Sequence, residues 1–262
     1  MSVVAQNPRI AIGQLQMHWT IEANMASILD AIELAQDRGA GICTFPELAV
    51  TGFHREIASQ AKPELVAPQV KKLQEVCARR AVAICVGAPS FGDHDARFNS
   101  HLFIDELGQL VSVVSKIGLT APEATFFRPG AGRPVSVLHG MRCSAVICRE
   151  IEDEAQVLEQ LKAGSVDLVF WPGQMRPDPD KPVTDPPEHV VQAQQLARSL
   201  NAHVIQANWP NALNRPQESE HTGHSAVIDP SGELLFRLPR QRSGVAVFAL
   251  GEPEYEWHAR EH

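Results

Sequence analysis

The sequence has no run of lysine or arginine, and its formal net charge is −8 over 262 residues. Phosphate binding needs clustered cations, so a nucleic-acid surface is not expected. No apolar stretch approaches the roughly 20 residues of a membrane span, and no membrane partner is expected either. The opening MSVVAQNPR lacks a basic segment followed by an apolar core, so nothing in it is expected to direct the chain out of the cytoplasm. Cysteine is scarce and odd in number, with five residues at 43, 77, 85, 143 and 148 and no C-x-x-C spacing. That pattern supports neither a disulfide framework nor a zinc ribbon. HTGH at 221–224 reads better as a loop running into a strand than as a metal site, and no metal is expected. Repeats and low-complexity tracts are missing as well.

What is present is a chain 44% hydrophobic and 21% charged, long enough to bury a substantial core. One domain over residues 1–262 is expected, with a core of about 9–250, a polar tail at 251–262, and a small-molecule role. The tail, EPEYEWHAREH with its preceding glycine, carries two aromatics suited to docking on a partner.

Residues 9–16 alternate and predict a first strand. Thr20 is a natural N-cap for a helix whose apolar positions include Ile21, Met25, Ile28 and Ile32, and Gly39 is a natural stop. Strands are predicted at 41–44 and 81–88 and a helix at 66–80. A hairpin is expected at 101–105 and 110–115, then an irregular loop at 116–130. After a helix ending near 163, a strand at 167–171 precedes a proline-dense loop at 172–187, a candidate lid. A helix at 188–200, a strand at 203–207, a hairpin at 225–229 and 234–238, and a strand at 244–250 complete the pattern. Strands and helices alternate at both ends with hairpins between, which describes a mixed sheet layered with helices.

Three charged or nucleophilic residues stand just past predicted strands. Glu47 lies in FPELAVTGF, Lys116 opens KIGLTAPEATFFRPG, and Cys148 ends the apolar run of MRCSAVICRE. A cysteine at a strand-to-helix corner projects from the carboxyl edge of a sheet, where the next backbone N–H points at the oxygen it would attack. Each piece alone has an ordinary reading: a buried small hydrophobe, a solvated carboxylate, a snorkelling lysine.

In order along the chain, the three pieces resemble the nitrilase superfamily of carbon–nitrogen hydrolases, and HVIQAN and GHSAVIDPSGELL resemble later segments of that family. The likeness spans roughly residues 9–250. It implies a four-layer αββα sandwich of two mixed sheets flanked by helices, assembled as a homodimer or larger homo-oligomer. It also implies a Glu47–Lys116–Cys148 triad, with Glu123 orienting Lys116 and no cofactor. The chemistry fits those residue types. A thiol attacks the poor electrophile of an amide, a carboxylate moves the proton, and Lys116 with the Arg149 backbone N–H holds the oxyanion. A lysine beside the thiol is expected to favour the thiolate. The expected substrate is a small amide, with nitrile hydrolysis, acyl transfer and a non-catalytic binding role as alternatives.

Where relatives acting on carboxylate-bearing substrates carry an arginine and an aromatic–proline pair, this chain reads Ile151, Glu152, Asp153 and Glu154. Such a cluster would repel an anion and tolerate a neutral or amine-bearing amide; it equally suits a helix N-terminus. Trp171, Met175 and Trp209, expected in loops after strands, are candidates both for the acyl pocket and for core edges.

Overall fold

The structure, a computed structural model, describes residues 8–175 and 184–260. Strand β1 (Arg9–Gln14) leads to helix α1 (Ile21–Asp37), whose cap Thr20 accepts a hydrogen bond from the Ala23 N–H, and to β2 (Ala40–Thr44). A single turn, α2 (Ile57–Gln60), precedes α3 (Pro63–Arg80). That helix starts at 63 rather than 66 because Pro63 sits in its first turn, where no N–H is needed. Next come β3 (Ala83–Phe91), β4 (Arg97–Ile104), β5 (Leu110–Ser115), the one-turn α4 (Ala121–Ala124), β6 (Ser136–Leu138) and β7 (Met141–Ala145). A 3₁₀ helix (Cys148–Asp153) runs into α5 (Glu154–Gly164), followed by β8 (Leu168–Gly173), α6 (Glu188–Leu200) and β9 (His203–Asn208). The chain ends with β10 (Ala226–Ile228), β11 (Leu234–Arg237), β12 (Gly244–Ala249) and β13 (Tyr255–Ala259).

These strands form two mixed sheets. One has seven strands in the order β13-β12-β1-β2-β3-β4-β5, the other six in the order β11-β10-β9-β8-β7-β6. Strands β1, β2 and β3 run parallel, as do β7, β8 and β9, and the remaining pairings are antiparallel. Alternation of side chains sorts each strand between two cores. Ile10 and Ile12 of β1 and Leu168 and Phe170 of β8 meet between the sheets, with Ile42, Phe103 and Ile205. Ala11 faces outward to α1 and α3, and Val169 and Trp171 face outward to α5 and α6. Three apolar interfaces between four layers make the αββα sandwich.

Several expectations change. The tail is not a free docking segment: β13 pairs with β12 as an edge strand, and Tyr255 stacks on Phe236 with centroids 4.5 Å apart. The alternation of Tyr255 and Trp257 with charged neighbours is itself a strand signal, so the ordered sandwich extends to Ala259 rather than 250. The loop after Lys116 contains α4, nucleated by a capping box in which Thr120 and Glu123 satisfy each other's backbone N–H. Half of the candidate lid, 176–183, lies outside the described residues.

Candidate active site

Glu47 and Lys116 follow strands of the seven-stranded sheet, and Cys148 follows β7 of the other, so the inter-sheet packing brings the three corners to one end of the sandwich. Each corner is fixed by backbone. Beyond β2, the Phe45 N–H donates to Cys85 O and the Val50 N–H to Gly87 O, both at 3.0 Å, while Leu48 adopts a left-handed φ of 52°. Gly87 is required here: a Cβ on it would lie 2.2 Å from the Leu48 nitrogen. At the second corner, the Lys116 N–H donates to Asn99 O at 2.8 Å and the Gly130 N–H to Lys116 O at 2.9 Å.

The third corner is strained. Cys148 has φ 52°, a left-handed conformation that costs a non-glycine residue on the order of 1 kcal/mol and concentrates at functional positions. Of the five cysteines it alone is half-buried rather than fully buried, keeping part of its residue surface open. Arg149 is the second residue of the 3₁₀ helix, within the first turn, where N–H groups have no partner inside the helix.

The side chains form a buried network. Lys116 Nζ donates to Glu47 Oε1 at 2.8 Å and to Glu123 Oε1 at 2.7 Å. Asn99 Nδ2 donates to the same two oxygens, at 2.7 and 3.2 Å. Glu123 Oε2 is held by the Thr120 N–H and hydroxyl. All of Glu47's partners therefore lie on Oε1, and its buried Oε2 has none among the described residues.

Electrostatics follow from that geometry. Burial works against the Lys116 ammonium, but Glu47, Cys148 and Glu123 outweigh it and hold the pKa above its ordinary value. Burial raises Glu47 despite the attraction of Lys116. Burial also opposes ionisation of Glu123, yet Lys116 and the Thr120 hydrogen bonds bring it below the ordinary carboxylate value. Cys148 is pushed up to about 12, first by burial and then by Glu47, with Lys116 and the Gln174 N–H pulling the other way. The expectation of a resting thiolate is thus overturned. Desolvation and the adjacent carboxylate prevail over the lysine, so the thiol keeps its proton until a base takes it.

The two tryptophans are buried ties. Trp171 belongs to β8 itself, not to a loop after it, and its Nε1–H donates to Cys148 O at 2.8 Å. Trp209 Nε1–H donates to Glu47 O at 2.9 Å. Met175 lies close to Cys148: a Cβ on Gly173 would stand 3.0 Å from Met175 Cγ and 3.3 Å from Cys148 Cα. Arg149 pairs with Glu152 at 2.6 Å and Asp153 at 3.6 Å, partly neutralising the acidic cluster.

Three supporting residues escaped the sequence reading: Asn99, Arg133 and Glu150. Glu150 is buried. It accepts from the Ile117 N–H at 2.6 Å and the Ile147 N–H at 2.7 Å, so it clasps the residue after Lys116 to the residue before Cys148. Arg133 pairs with it at 2.9 and 3.1 Å and also donates to Ala145 O at 2.6 Å. The one available signal was Glu150's place directly after Cys148 and Arg149.

The model of the carbon-nitrogen hydrolase family matches residues 9–256. The chain belongs to this family. Membership places it in the nitrilase superfamily that its three motifs resemble. An amidase from Nesterenkonia sp. has the same fold, with a TM-score of 0.80 and 24% identity over 95% of this chain and 92% of that one. A glutamate-to-glutamine mutant of that amidase, bearing the acetamide moiety of fluoroacetamide on its active-site cysteine, matches at 0.80 and 22% identity over 95% and 92%. A glutamine-dependent NAD(+) synthetase of Thermotoga maritima is 23% identical over 87% of this chain. The chain spans 39% of that synthetase's length.

Proposed function

We propose that this carbon–nitrogen hydrolase cleaves a small neutral or amine-bearing amide or carbamoyl compound through a thioester on Cys148, releasing ammonia. One observation carries the reading. Glu47 is buried with one oxygen committed to Lys116 and Asn99 and the other uncommitted, which is the arrangement a general base needs. The raised Glu47 pKa makes it a stronger base than an ordinary carboxylate, which works against the raised pKa of the Cys148 thiol.

The steps follow from these groups. The Cys148 thiol gives its proton to Glu47 Oε2 as sulfur bonds to the carbonyl carbon. The oxygen gains the electron pair and is held by Lys116 Nζ and the Arg149 N–H. As the tetrahedral species collapses, the carbon–nitrogen bond breaks and Glu47 returns the proton to the departing nitrogen. Ammonia leaves. Water, deprotonated by Glu47, then attacks the thioester, and the acid departs as sulfur regains a proton. The Nesterenkonia amidase, with an acetamide moiety on its cysteine, supports this assignment of the nucleophile.

An ammonia-release panel of small amides, carbamoyl compounds and nitriles tests the proposal. Parent protein is expected to release ammonia from amides ahead of nitriles, and Cys148→Ala to lose at least about 10³-fold in rate. Preference for nitriles, acyl transfer to an added amine without acid formation, or undiminished turnover by Cys148→Ala would each contradict it.

A further inference from the structure

Beside the catalytic corners lies a recess that the proposed chemistry does not use. A cleft of about 430 Å³ opens between the segment following the Glu47 corner and the segment following Lys116. Phe53 and Ile57 line it from the first, Phe126 and Phe127 from the second. Phe127 is buried edge-to-face against Phe126 with centroids 4.9 Å apart, while Phe53, Ile57 and Phe126 keep part of their surface open. Apolar side chains left part-open around one concavity mark a binding site, and this volume is within the range of small-molecule pockets. An acetyl or butyryl group would fill only a fraction of it.

Glu123 joins this cleft to the chemistry. It is among the lining residues, and its Oε1 accepts the hydrogen bond from Lys116. The cleft thus shares one wall residue, Glu123, with the buried network around Lys116. Arg55 also lines the cleft, but its side chain is 69% exposed and its guanidinium lies over the Trp19 ring at 5.4 Å. That leaves its charge towards solvent, and the cleft's other polar lining residues are His54, Glu123, Thr125 and Asn214.

We propose that this cleft receives an apolar arm of the substrate, so that the preferred amides carry an aromatic or branched aliphatic group. The inference rests on the amide reading above and narrows it from small amides in general.

The test compares kcat/KM for acetamide, 3-phenylpropionamide and N-benzylacetamide in the parent, Phe126→Ala and Ile57→Trp. The first variant removes a wall and the second fills the space. In the parent, one aryl amide is expected to exceed acetamide by about tenfold or more, the two aryl compounds reporting whether the acyl or the amine side enters. Both variants are expected to shrink that ratio at least severalfold. Thermal melts followed by circular dichroism show whether each variant is folded, and if Phe126→Ala is not, Ile57→Trp decides. A parent that prefers acetamide to both aryl amides, or an aryl advantage intact in the folded variants, overturns the inference while leaving the amide reading standing. A parent that hydrolyses no amide and never acylates Cys148 overturns both.

Discussion

Burial and the Glu47 carboxylate both oppose ionisation of the Cys148 thiol, so in the proposed chemistry nucleophile and base are coupled through one proton. Glu47 is the largest charge effect raising the thiol pKa, second only to burial. In Glu47→Gln the thiol is expected to deprotonate at lower pH than in the parent, while hydrolysis falls by about 10²–10⁴-fold for want of a base. Ultraviolet thiolate absorbance, titrated as a difference against Cys148→Ser, checks the first part. A midpoint that stays in place or rises would show that Glu47 does not act on the sulfur. At this scale the candidate triad was legible in the sequence, because Glu47, Lys116 and Cys148 each follow a strand and stand in recognisable surroundings. Their charge states were not. A string of residues does not show that Cys148 is desolvated or that Lys116 spends its charge on two carboxylates.

The elements carry the corners, and Glu150, on the 3₁₀ helix, ties two of them together. Glu150 holds the 117 and 147 backbone N–H groups together, and Arg133 compensates its buried charge. Removing the acid leaves Arg133 buried without its partner, a change that costs about 3–5 kcal/mol when a buried pair is broken. Glu150→Gln is therefore expected to lower the melting temperature and to reduce kcat more than KM, since it shifts Lys116 relative to Cys148 without touching substrate. Steady-state kinetics with a melt check this, and a drop in KM affinity alone would assign Glu150 to binding instead. Period-two and helical spacing made most elements legible, including the strand before Cys148 and α6 at both its bounds. They could not reveal Glu150, Arg133 or Asn99 as buried, because a lone polar residue looks the same in a solvated turn as in a clasp. The β13 edge strand was missed for a related reason: it is short, and its two aromatics stand among glutamates in a polar tail.

Across the whole molecule, burial of neutral histidines couples stability to pH. His101, on β4, is fully buried with both ring nitrogens lacking a partner among the described residues, and desolvation lowers its pKa to about 3. His189, on α6, is lowered to about 4, first by desolvation and then by His224 and Arg237. Unfolded, both would take up protons near the ordinary value of about 6.5. Their contribution is therefore complete above that pH and declines as the pH falls towards 4, because only the unfolded chain gains the protons. Urea midpoints of the parent are expected to fall over this window and those of His101→Leu to fall less steeply; parallel slopes would contradict the assignment. The αββα sandwich itself was expected from the family likeness, whereas alternation and turn residues alone gave only mixed sheets with helices. Which sheet each strand joins depends on contacts between segments far apart in sequence, such as β1 with β12.

The proposed chemistry stands or falls on a covalent bond between Cys148 and the acyl group of an amide. Acid-quenched protein, incubated with an amide that it hydrolyses, can be digested and its peptides weighed by mass spectrometry. The expected result is an acyl increment on the peptide containing Cys148, stronger in Glu47→Gln if deacylation slows more than acylation, and missing in Cys148→Ala. Hydrolysis with no increment at Cys148 under rapid quench, or an increment on another residue, would contradict it.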